Sequence, residues 1–264
     1  STGGTRTTRP RSKEDVVAEP RWTPGKFVWR ELLTDDVERA RRFYAELLGW
    51  TWKLEPMAGG HGYWLASAGG RQVGGMMAKP PGPPMPNAWS SYVLSRDVDA
   101  AARRCAEAGG RVLKEAADIP EVGRFAVLAD PWGAVFFAFR PSRDESAPPP
   151  MPPPAGTFCW ETLVVAGPVG AAAFYGKVLG LGTGKPPSGE GIVFTAGDAM
   201  VADVQPARPG GPSYWATYVA VDAAEASRDR AARLGGKVLV PRIDVPKVGI
   251  VSVIADPTGA SLGL

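Results

Sequence analysis

Apolar and polar positions along the chain follow one order of strand and helix patterns, which recurs. Residues 26–33 alternate like a half-buried strand. A helix pattern then begins after Asp36, a favourable N-cap, and ends at Gly49. Three short strand patterns follow between glycine-rich turns. A strand over 89–95, a helix over 97–108 and three more short strands complete the unit, so this half of the chain predicts two βαβββ modules.

The second half of the chain repeats the first. Residues 89–133 align without a gap on residues 215–259, and 19 of these 45 positions are identical. Residues 27–49 match residues 158–180 in the same way. A repeat of this length indicates two homologous domains, so we predict an α+β fold with four βαβββ modules in two domains.

Composition sets the boundaries of these domains. We predict a disordered basic tail over 1–26, a first domain over 27–140, a proline-rich linker over 141–156 and a second domain over 157–264. Proline has no backbone N–H and stiffens an extended chain, which is typical of a linker. The tail holds six Lys or Arg residues against three acidic ones, and this excess equals the net charge of +3.

The rest of the composition excludes several classes of function. The domains carry no basic stripe, so we expect no nucleic-acid partner. No apolar run reaches the length of a membrane-spanning helix, and the start resembles no signal peptide, so we expect no membrane association. The two cysteines, Cys105 and Cys159, lie far apart and predict no disulfide framework. We therefore expect a cytoplasmic protein.

Three motifs resemble the vicinal oxygen chelate superfamily. They are Phe43–Tyr44 followed by LLG, a second helix that ends in two glycines, and ADPWG at 129–133 before the last strand. The superfamily includes glyoxalase I, extradiol dioxygenases and bleomycin-binding proteins. The resemblance implies paired βαβββ modules whose curled mixed sheets form open clefts. In enzymes of this family, His, Gln or Glu side chains hold a divalent metal in the cleft.

The positions that correspond to the family's metal ligands carry other residue types here. In the first domain they are Trp29, Ser90 and Phe137, and in the second they are Trp160, Ala216 and Gly263. The single histidine of the chain, His61, lies in a glycine-rich turn. A catalytic divalent site needs about three N or O ligands, so we predict no metal and no cofactor.

Aromatic and hydroxyl side chains replace the metal ligands, which predicts a cleft for a largely planar organic molecule. An alternative is that Trp29 and Trp160 only fill core volume. The predicted ligand-binding residues are Trp29, Ser90, Phe137, Trp160, Thr162, Tyr214, Trp215 and Tyr218.

Three residues of the first domain are candidates for acid–base catalysis: Glu31, His61 and Tyr92. Burial of Glu31 beside Trp29 would raise the pKa of its carboxyl group toward the range useful for proton transfer. The alternatives are that Glu31 has a structural or solvent-facing role and that His61 is an exposed loop residue.

Two functions follow from these residues. The first is a metal-independent binding protein that holds a planar metabolite or antibiotic, as bleomycin-binding relatives do. The second is a metal-free enzyme that modifies a secondary metabolite by acid–base chemistry. A metal-dependent glyoxalase or dioxygenase is disfavoured by the substitutions. Duplication supplies two domains in one chain, so we expect them to pair intramolecularly in a monomer.

Overall fold

The computed structural model describes residues 23–57, 62–82, 84–143, 152–187 and 189–264. The first domain contains two helices and eight strands in the predicted order. These elements are β1 (Phe27–Thr34), α1 (Val37–Leu48), β2 (Thr51–Pro56), β3 (Gly62–Ala68), β4 (Arg71–Ala78), β5 (Ala88–Leu94), α2 (Val98–Glu107), β6 (Arg111–Ile119), β7 (Gly123–Ala129) and β8 (Val135–Pro141).

The second domain repeats this order. Its elements are β9 (Phe158–Val165), α3 (Pro168–Leu179), β10 (Gly182–Gly184), β11 (Ile192–Ala196), β12 (Ala199–Pro206), β13 (Tyr214–Val219), α4 (Ala224–Arg233), β14 (Lys237–Val245), β15 (Gly249–Ala255) and β16 (Ser261–Gly263). None of the helices in the described ranges combines the length and the apolar character needed to cross a bilayer.

Each domain forms one open, mixed sheet of eight strands. The order is β2-β3-β4-β1-β5-β8-β7-β6 in the first domain and β10-β11-β12-β9-β13-β16-β15-β14 in the second. In the first sheet β1 is parallel to β4 and antiparallel to β5, and β5 is parallel to β8. These pairings place the two modules of a domain side by side, and they confirm the predicted α+β fold with two homologous halves.

Helix α1 shows why the sequence folds as the pattern predicts. The side chain of Asp36 accepts a hydrogen bond from the backbone N–H of Arg39 and so caps the first turn. One face of the helix buries Phe43, Tyr44 and Leu47, at the helical spacing of three to four residues. Gly49 ends the helix with φ of 70°, a left-handed conformation that favours glycine.

The two domains share their hydrophobic cores. One core joins α2 and β8 of the first domain to α3 and β9 of the second, and the other joins α1 of the first domain to α4 and β16 of the second. Phe27 of the first domain contacts Trp215 of the second, with ring centroids 5.1 Å apart. Burying a large apolar side chain stabilises a fold by roughly 1.5–3 kcal/mol. The shared cores therefore contribute strongly to the contact between the domains.

A buried chain of hydrogen bonds links α1 to the second domain. The indole N–H of Trp89 donates to the hydroxyl of Tyr44 over 2.9 Å. The Tyr44 hydroxyl donates to Oδ2 of Asp256 over 3.0 Å. Burial, and then the charge of Asp256, raise the pKa of Tyr44 well above its usual value, which keeps the hydroxyl neutral as a donor.

The equivalent chain runs in the opposite direction, from the second domain to the first. Trp215 donates to the hydroxyl of Tyr175 over 2.9 Å, and Tyr175 donates to Oδ2 of Asp130 over 3.1 Å. Asp130 and Asp256 both belong to the AD-P-x-G turns that the sequence repeats. The domains are therefore joined by two matched sets of Trp, Tyr and Asp.

Candidate functional site

Most of the predicted site residues of the first domain share one face of its sheet, opposite to the face that packs against the helices. We call this the first concave face. Trp29 on β1 lies beside Tyr92 on β5, and Tyr92 lies beside Phe137 on β8. Two residues further along β1, and on the same face, Glu31 lies opposite Ser90. The sheet register thus brings five of the predicted residues together.

Glu31 is enclosed among aromatic side chains and is only 7% exposed. The hydroxyl of Tyr92 donates to Oε1 of Glu31 over 3.2 Å, and the side chain of Tyr63 is also hydrogen-bonded to Glu31. The indole N–H of Trp29 donates in turn to the Tyr63 hydroxyl over 2.8 Å. Glu31 is therefore the carboxyl group at the centre of a network of three aromatic residues.

This environment changes the acidity of the network. Burial raises the pKa of Glu31 above its usual value, and the hydrogen bonds from Tyr63 and Tyr92 and the charge of Lys114 oppose that rise. Burial and the neighbouring Glu31 raise the pKa of both tyrosines. A carboxyl group with a raised pKa can either donate a hydrogen bond or exchange a proton nearer neutral pH.

Tyr63 is a site residue that the sequence analysis missed. It lies on β3, two strands away from Glu31 in the sheet, and it reaches Glu31 across Gly75 of β4. A Cβ atom at Gly75 would overlap the Tyr63 ring and hydroxyl. The signal in the sequence was the glycine pair of VGGMM inside a strand pattern, since such glycines mark the close approach of another group.

Phenylalanine and tyrosine rings form the rest of the first concave face. The ring centroids of Tyr92 and Phe137 are 4.5 Å apart, and Phe125 is stacked on Phe137 at 6.3 Å and 11°. Tyr92 and Phe137 are buried, whereas Phe125 and Phe139 are partly exposed. The ammonium group of the exposed Lys114 lies 4.8 Å from the Phe125 ring centroid. The face therefore has a closed base and an accessible aromatic rim.

The second concave face, on the sheet of the second domain, repeats this register with a different centre. Trp160, Tyr218 and Gly263 lie in one row, and Thr162 lies opposite Ala216. Its carboxyl group comes from Asp203 of β12, which lies beside Thr162. Asp203 accepts hydrogen bonds from three donors: Trp160 Nε1 at 2.8 Å, Thr162 Oγ1 at 2.5 Å and Gln205 Nε2 at 2.7 Å.

Small residues shape the second concave face. The ring of Tyr218 lies directly over Gly263, where a Cβ atom would overlap it. Burial raises the pKa of Tyr218, which is also hydrogen-bonded to Thr162. Where the first face has Phe125, the second has the partly exposed Val251. At this position the second face is consequently aliphatic rather than aromatic.

Three of the predicted residues do not join these groups. Trp215 lies in the core shared by the two domains and donates to Tyr175, so the structure places it away from the second concave face. Strand alternation places Tyr214 on the same face as Tyr218, but at an exposed edge, with 43% of its surface accessible. His61 lies outside the described residues.

The side chains of the two faces do not fit a divalent metal of the family's type. Within the described ranges, no group of three or more His, Cys, Asp or Glu residues is close enough to hold a metal ion. At the positions that the resemblance assigns to metal ligands, the first face presents an indole, a serine hydroxyl and a phenyl ring, with one carboxyl group nearby. A metal held by about three N or O ligands requires a different set of donors.

Two surface grooves lie outside both concave faces. One, of about 440 Å³, lies between the end of α1, residues 155–156 and one side of α4 with the residues that precede it. The other, of about 420 Å³, lies beside the turn between β6 and β7. Neither includes Trp29, Glu31 or Asp203.

Comparison with known proteins agrees with the motifs and the fold. Residues 26–136 match the family model described as Glyoxalase/Bleomycin resistance protein/Dioxygenase superfamily. The chain is 37% identical over 239 residues to "Putative glyoxylase CFP32" of Mycobacterium tuberculosis (strain CDC 1551 / Oshkosh), covering 88% of this chain and 91% of that protein. The chain belongs to this superfamily, which confirms the resemblance that its motifs indicated.

Two further similarities bear on the fold and on the class of relative. The chain is 33% identical over 265 residues to "Anthracycline biosynthesis protein DnrV" of Streptomyces peucetius, covering 92% of this chain and 94% of that protein. The crystal structure of the Mn(II)-bound glyoxalase from Novosphingobium aromaticivorans superposes with a TM-score of 0.60 at 16% identity, covering 91% of this chain and 81% of that one. At this identity the structural match supports the fold alone.

Proposed function

We propose that the protein binds a largely planar organic metabolite on its first concave face, without a divalent metal. The observation that carries this proposal is Glu31, a carboxyl group buried among aromatic rings and hydrogen-bonded to Tyr63 and Tyr92. Glu31 lies opposite Ser90, one of the positions at which the family resemblance implies a metal ligand. The polar centre and the aromatic rim of the first concave face together suit a flat ligand with a few polar groups.

The cost of burying Glu31 supports a role beyond packing. Transfer of a carboxyl group from water to an apolar environment is unfavourable, even when hydrogen bonds offset part of the cost. A buried carboxyl group beside a partly exposed aromatic rim can hydrogen-bond a polar group of a ligand, and its two tyrosine partners hold it in one orientation.

The class of ligand follows from the rings of the rim. Phe125, Phe139 and Trp29 are partly exposed and offer faces for stacking, which contributes about 0.5–1.5 kcal/mol per ring pair. The name of one relative connects that protein with anthracycline biosynthesis. Anthracyclines have flat fused rings, so we propose this chemical class as the first to test here.

A titration with a flat probe tests the proposal. Daunorubicin, an available anthracycline, would be titrated into the purified protein by isothermal calorimetry and then recovered for mass spectrometry. We expect saturable one-to-one binding and an unchanged compound. Phe125→Ala should weaken binding about tenfold, whereas Val251→Ala, at the equivalent position of the second domain, should not. Equal effects of the two variants, or no binding of any planar compound tested, would count against the proposal.

A metal-free acid–base enzyme is the second candidate, and the raised pKa of Glu31 favours it. As a carboxylate, Glu31 would accept a proton from a substrate C–H or O–H group and return it to another atom of the same molecule. The distinguishing result is a recovered compound that is altered with unchanged mass. Its formation should be lost in Glu31→Gln, while binding is retained.

The proposal includes a setting for this function. We propose a cytoplasmic monomer whose partner is a small organic molecule rather than a nucleic acid or a membrane. Cys105 and Cys159 are both free thiols, which is compatible with a reducing compartment.

A further inference from the structure

An ion pair lies at the contact between the two domains, on the side of the sheets away from the concave faces. Nε of Arg30 on β1 is 2.8 Å from Oε1 of Glu161 on β9. The Glu161 side chain is fully buried and that of Arg30 is 11% exposed. Ser91 donates to Oε2 of Glu161 over 3.0 Å, and Thr217 donates to Oε1 over 2.8 Å. The pair is thus buried and hydrogen-bonded at both carboxylate oxygens.

The two charged residues occupy equivalent positions in the duplicated domains. Arg30 lies opposite Ser91 between β1 and β5, and Glu161 lies opposite Thr217 between β9 and β13. The sequence repeat aligns Arg30 with Glu161 in the same way. If two identical copies of either domain were joined through this surface, Arg30 would face Arg30, or Glu161 would face Glu161.

The two buried Tyr–Asp contacts between the domains do not distinguish like from unlike pairs of domains. The first domain supplies Tyr44 and Asp130, and the second supplies Tyr175 and Asp256. Tyr44 bonds to Asp256 and Tyr175 bonds to Asp130, so each domain gives one donor and one acceptor. Two copies of one domain could therefore form both Tyr–Asp bonds. The ion pair differs from them, because its two charges are opposite when unlike domains meet and alike when two copies of one domain meet.

We propose that the Arg30–Glu161 pair makes each domain fit the other domain of the chain and not a copy of itself. A buried ion pair is a weak source of stability, since loss of hydration offsets much of the attraction. A buried like-charge pair is strongly unfavourable, and this asymmetry is a common source of binding specificity. The pair thereby directs the first domain to the second and disfavours association through matching halves.

Charge reversal in the full-length chain is the first test. Arg30→Glu and Glu161→Arg should each lower the melting temperature by roughly 10 °C, because each buries two like charges. The double exchange should recover most of that loss. Arg71→Glu, on an exposed part of β4, controls for the change in net charge. A double exchange no more stable than the single variants would overturn the proposal.

The second test separates specificity from stability. A protease site between residues 143 and 152 allows the folded chain to be cut, after which the mixed domains are unfolded, refolded and counted by native mass spectrometry. The wild-type domains should re-form only unlike pairs. In the double variant Arg30→Leu/Glu161→Met the full chain should keep its melting temperature within a few degrees, but the cut domains should also form like pairs.

Exclusively unlike pairs in the apolar double variant would contradict the proposal. If the cut domains do not refold, the charge-reversal series still tests whether the contact requires opposite charges at these two positions, because it requires no exchange of domains.

Discussion

At the scale of single residues, buried polar groups have two different uses in this protein. Tyr44 and Tyr175 each donate a hydrogen bond to an aspartate of the other domain, so these bonds hold the two domains together. Glu31, in contrast, is hydrogen-bonded to residues of its own sheet and lies on the first concave face. Its burial opposes its ionisation, which makes the stability of the protein depend on pH in a defined direction.

Substitution of Glu31 should reveal that dependence. Because its pKa is raised in the folded state above the ordinary 4.5, the folded state holds the proton more tightly than the unfolded state. The stability contributed by Glu31 is therefore complete below about pH 4.5 and falls as pH rises through the folded pKa. As pH rises above about 4.5, the free energy of unfolding of Glu31→Gln should therefore increase relative to that of wild type. Urea unfolding at several pH values measures this difference.

The control for this prediction is Glu46→Gln on the exposed side of α1. It removes a solvent-exposed carboxyl group and leaves the buried network of Glu31, Tyr63 and Tyr92 intact. A Glu31→Gln difference that is constant with pH, or that shrinks as pH rises, would contradict a raised pKa.

Removal of either buried tyrosine hydroxyl should have nearly the same effect. Tyr44→Phe and Tyr175→Phe each delete one hydrogen bond to an aspartate and one from an indole. Each should lower the free energy of unfolding by about 1–3 kcal/mol, since buried partners are left unsatisfied. Tyr214→Phe, at an exposed edge, should change it by less than about 0.5 kcal/mol. Urea denaturation measures all three, and unequal effects of the two buried variants would argue against matched contacts.

At the scale of elements, glycines within strands decide which side chains reach the concave faces. Gly75 of β4 admits Tyr63 to Glu31, and Gly263 of β16 admits the ring of Tyr218. These glycines lie on different strands of the two sheets, so one register admits a different tyrosine to each face.

Filling the space at Gly263 should displace Tyr218. Gly263→Ala would place a methyl group inside the ring, and we expect a loss of about 1–3 kcal/mol in the free energy of unfolding. Gly184→Ala, in β10 of the same sheet, meets only ordinary contacts and should change stability by under about 1 kcal/mol. Thermal unfolding of both variants checks this. A Gly263→Ala protein as stable as wild type would show that the ring moves freely.

The sequence predicted the elements well because their signals are local. Alternation and helix spacing identified the strands and helices, and the repeat identified the two halves. The second helix begins at Val98 rather than at 97, because Asp97 is its N-cap. Strand alternation also placed Trp29, Glu31 and Tyr92 on one face.

The remaining features depend on contacts between distant parts of the chain. Trp215 is an exception, because strand alternation alone places it on the helix-facing side of β13, in the shared core with its hydrogen-bond partner Tyr175. The ion pair of Arg30 with Glu161 joins two positions that the sequence shows only as equivalent. The role of Tyr63 required knowledge of the order of the strands.

At the scale of the whole molecule, the two domains act as partners within one chain. The shared cores, the matched Trp–Tyr–Asp sets and the ion pair all lie on the helix-facing side of the sheets. Trp50 adds a hydrogen bond of 2.7 Å to the carbonyl of Gly156, just before the second domain begins. This arrangement leaves both concave faces directed away from the contact.

Because each domain already has its partner, we expect a monomer in solution. Multi-angle light scattering at concentrations of about 1 to 100 µM, a range that covers the common affinities of weak dimers, should give the mass of one chain, 27.8 kDa. A stable mass of two chains would contradict pairing within the chain as the complete assembly.

The most direct measurement is calorimetric titration of daunorubicin into protein whose divalent metals have been removed with EDTA. The binding constant should equal that of untreated protein and should be unchanged by added Zn²⁺ or Mn²⁺. Trp29→Ala should weaken it, and Trp160→Ala should not. Binding that disappears with EDTA and returns with the metal would contradict a metal-independent ligand site on the first concave face.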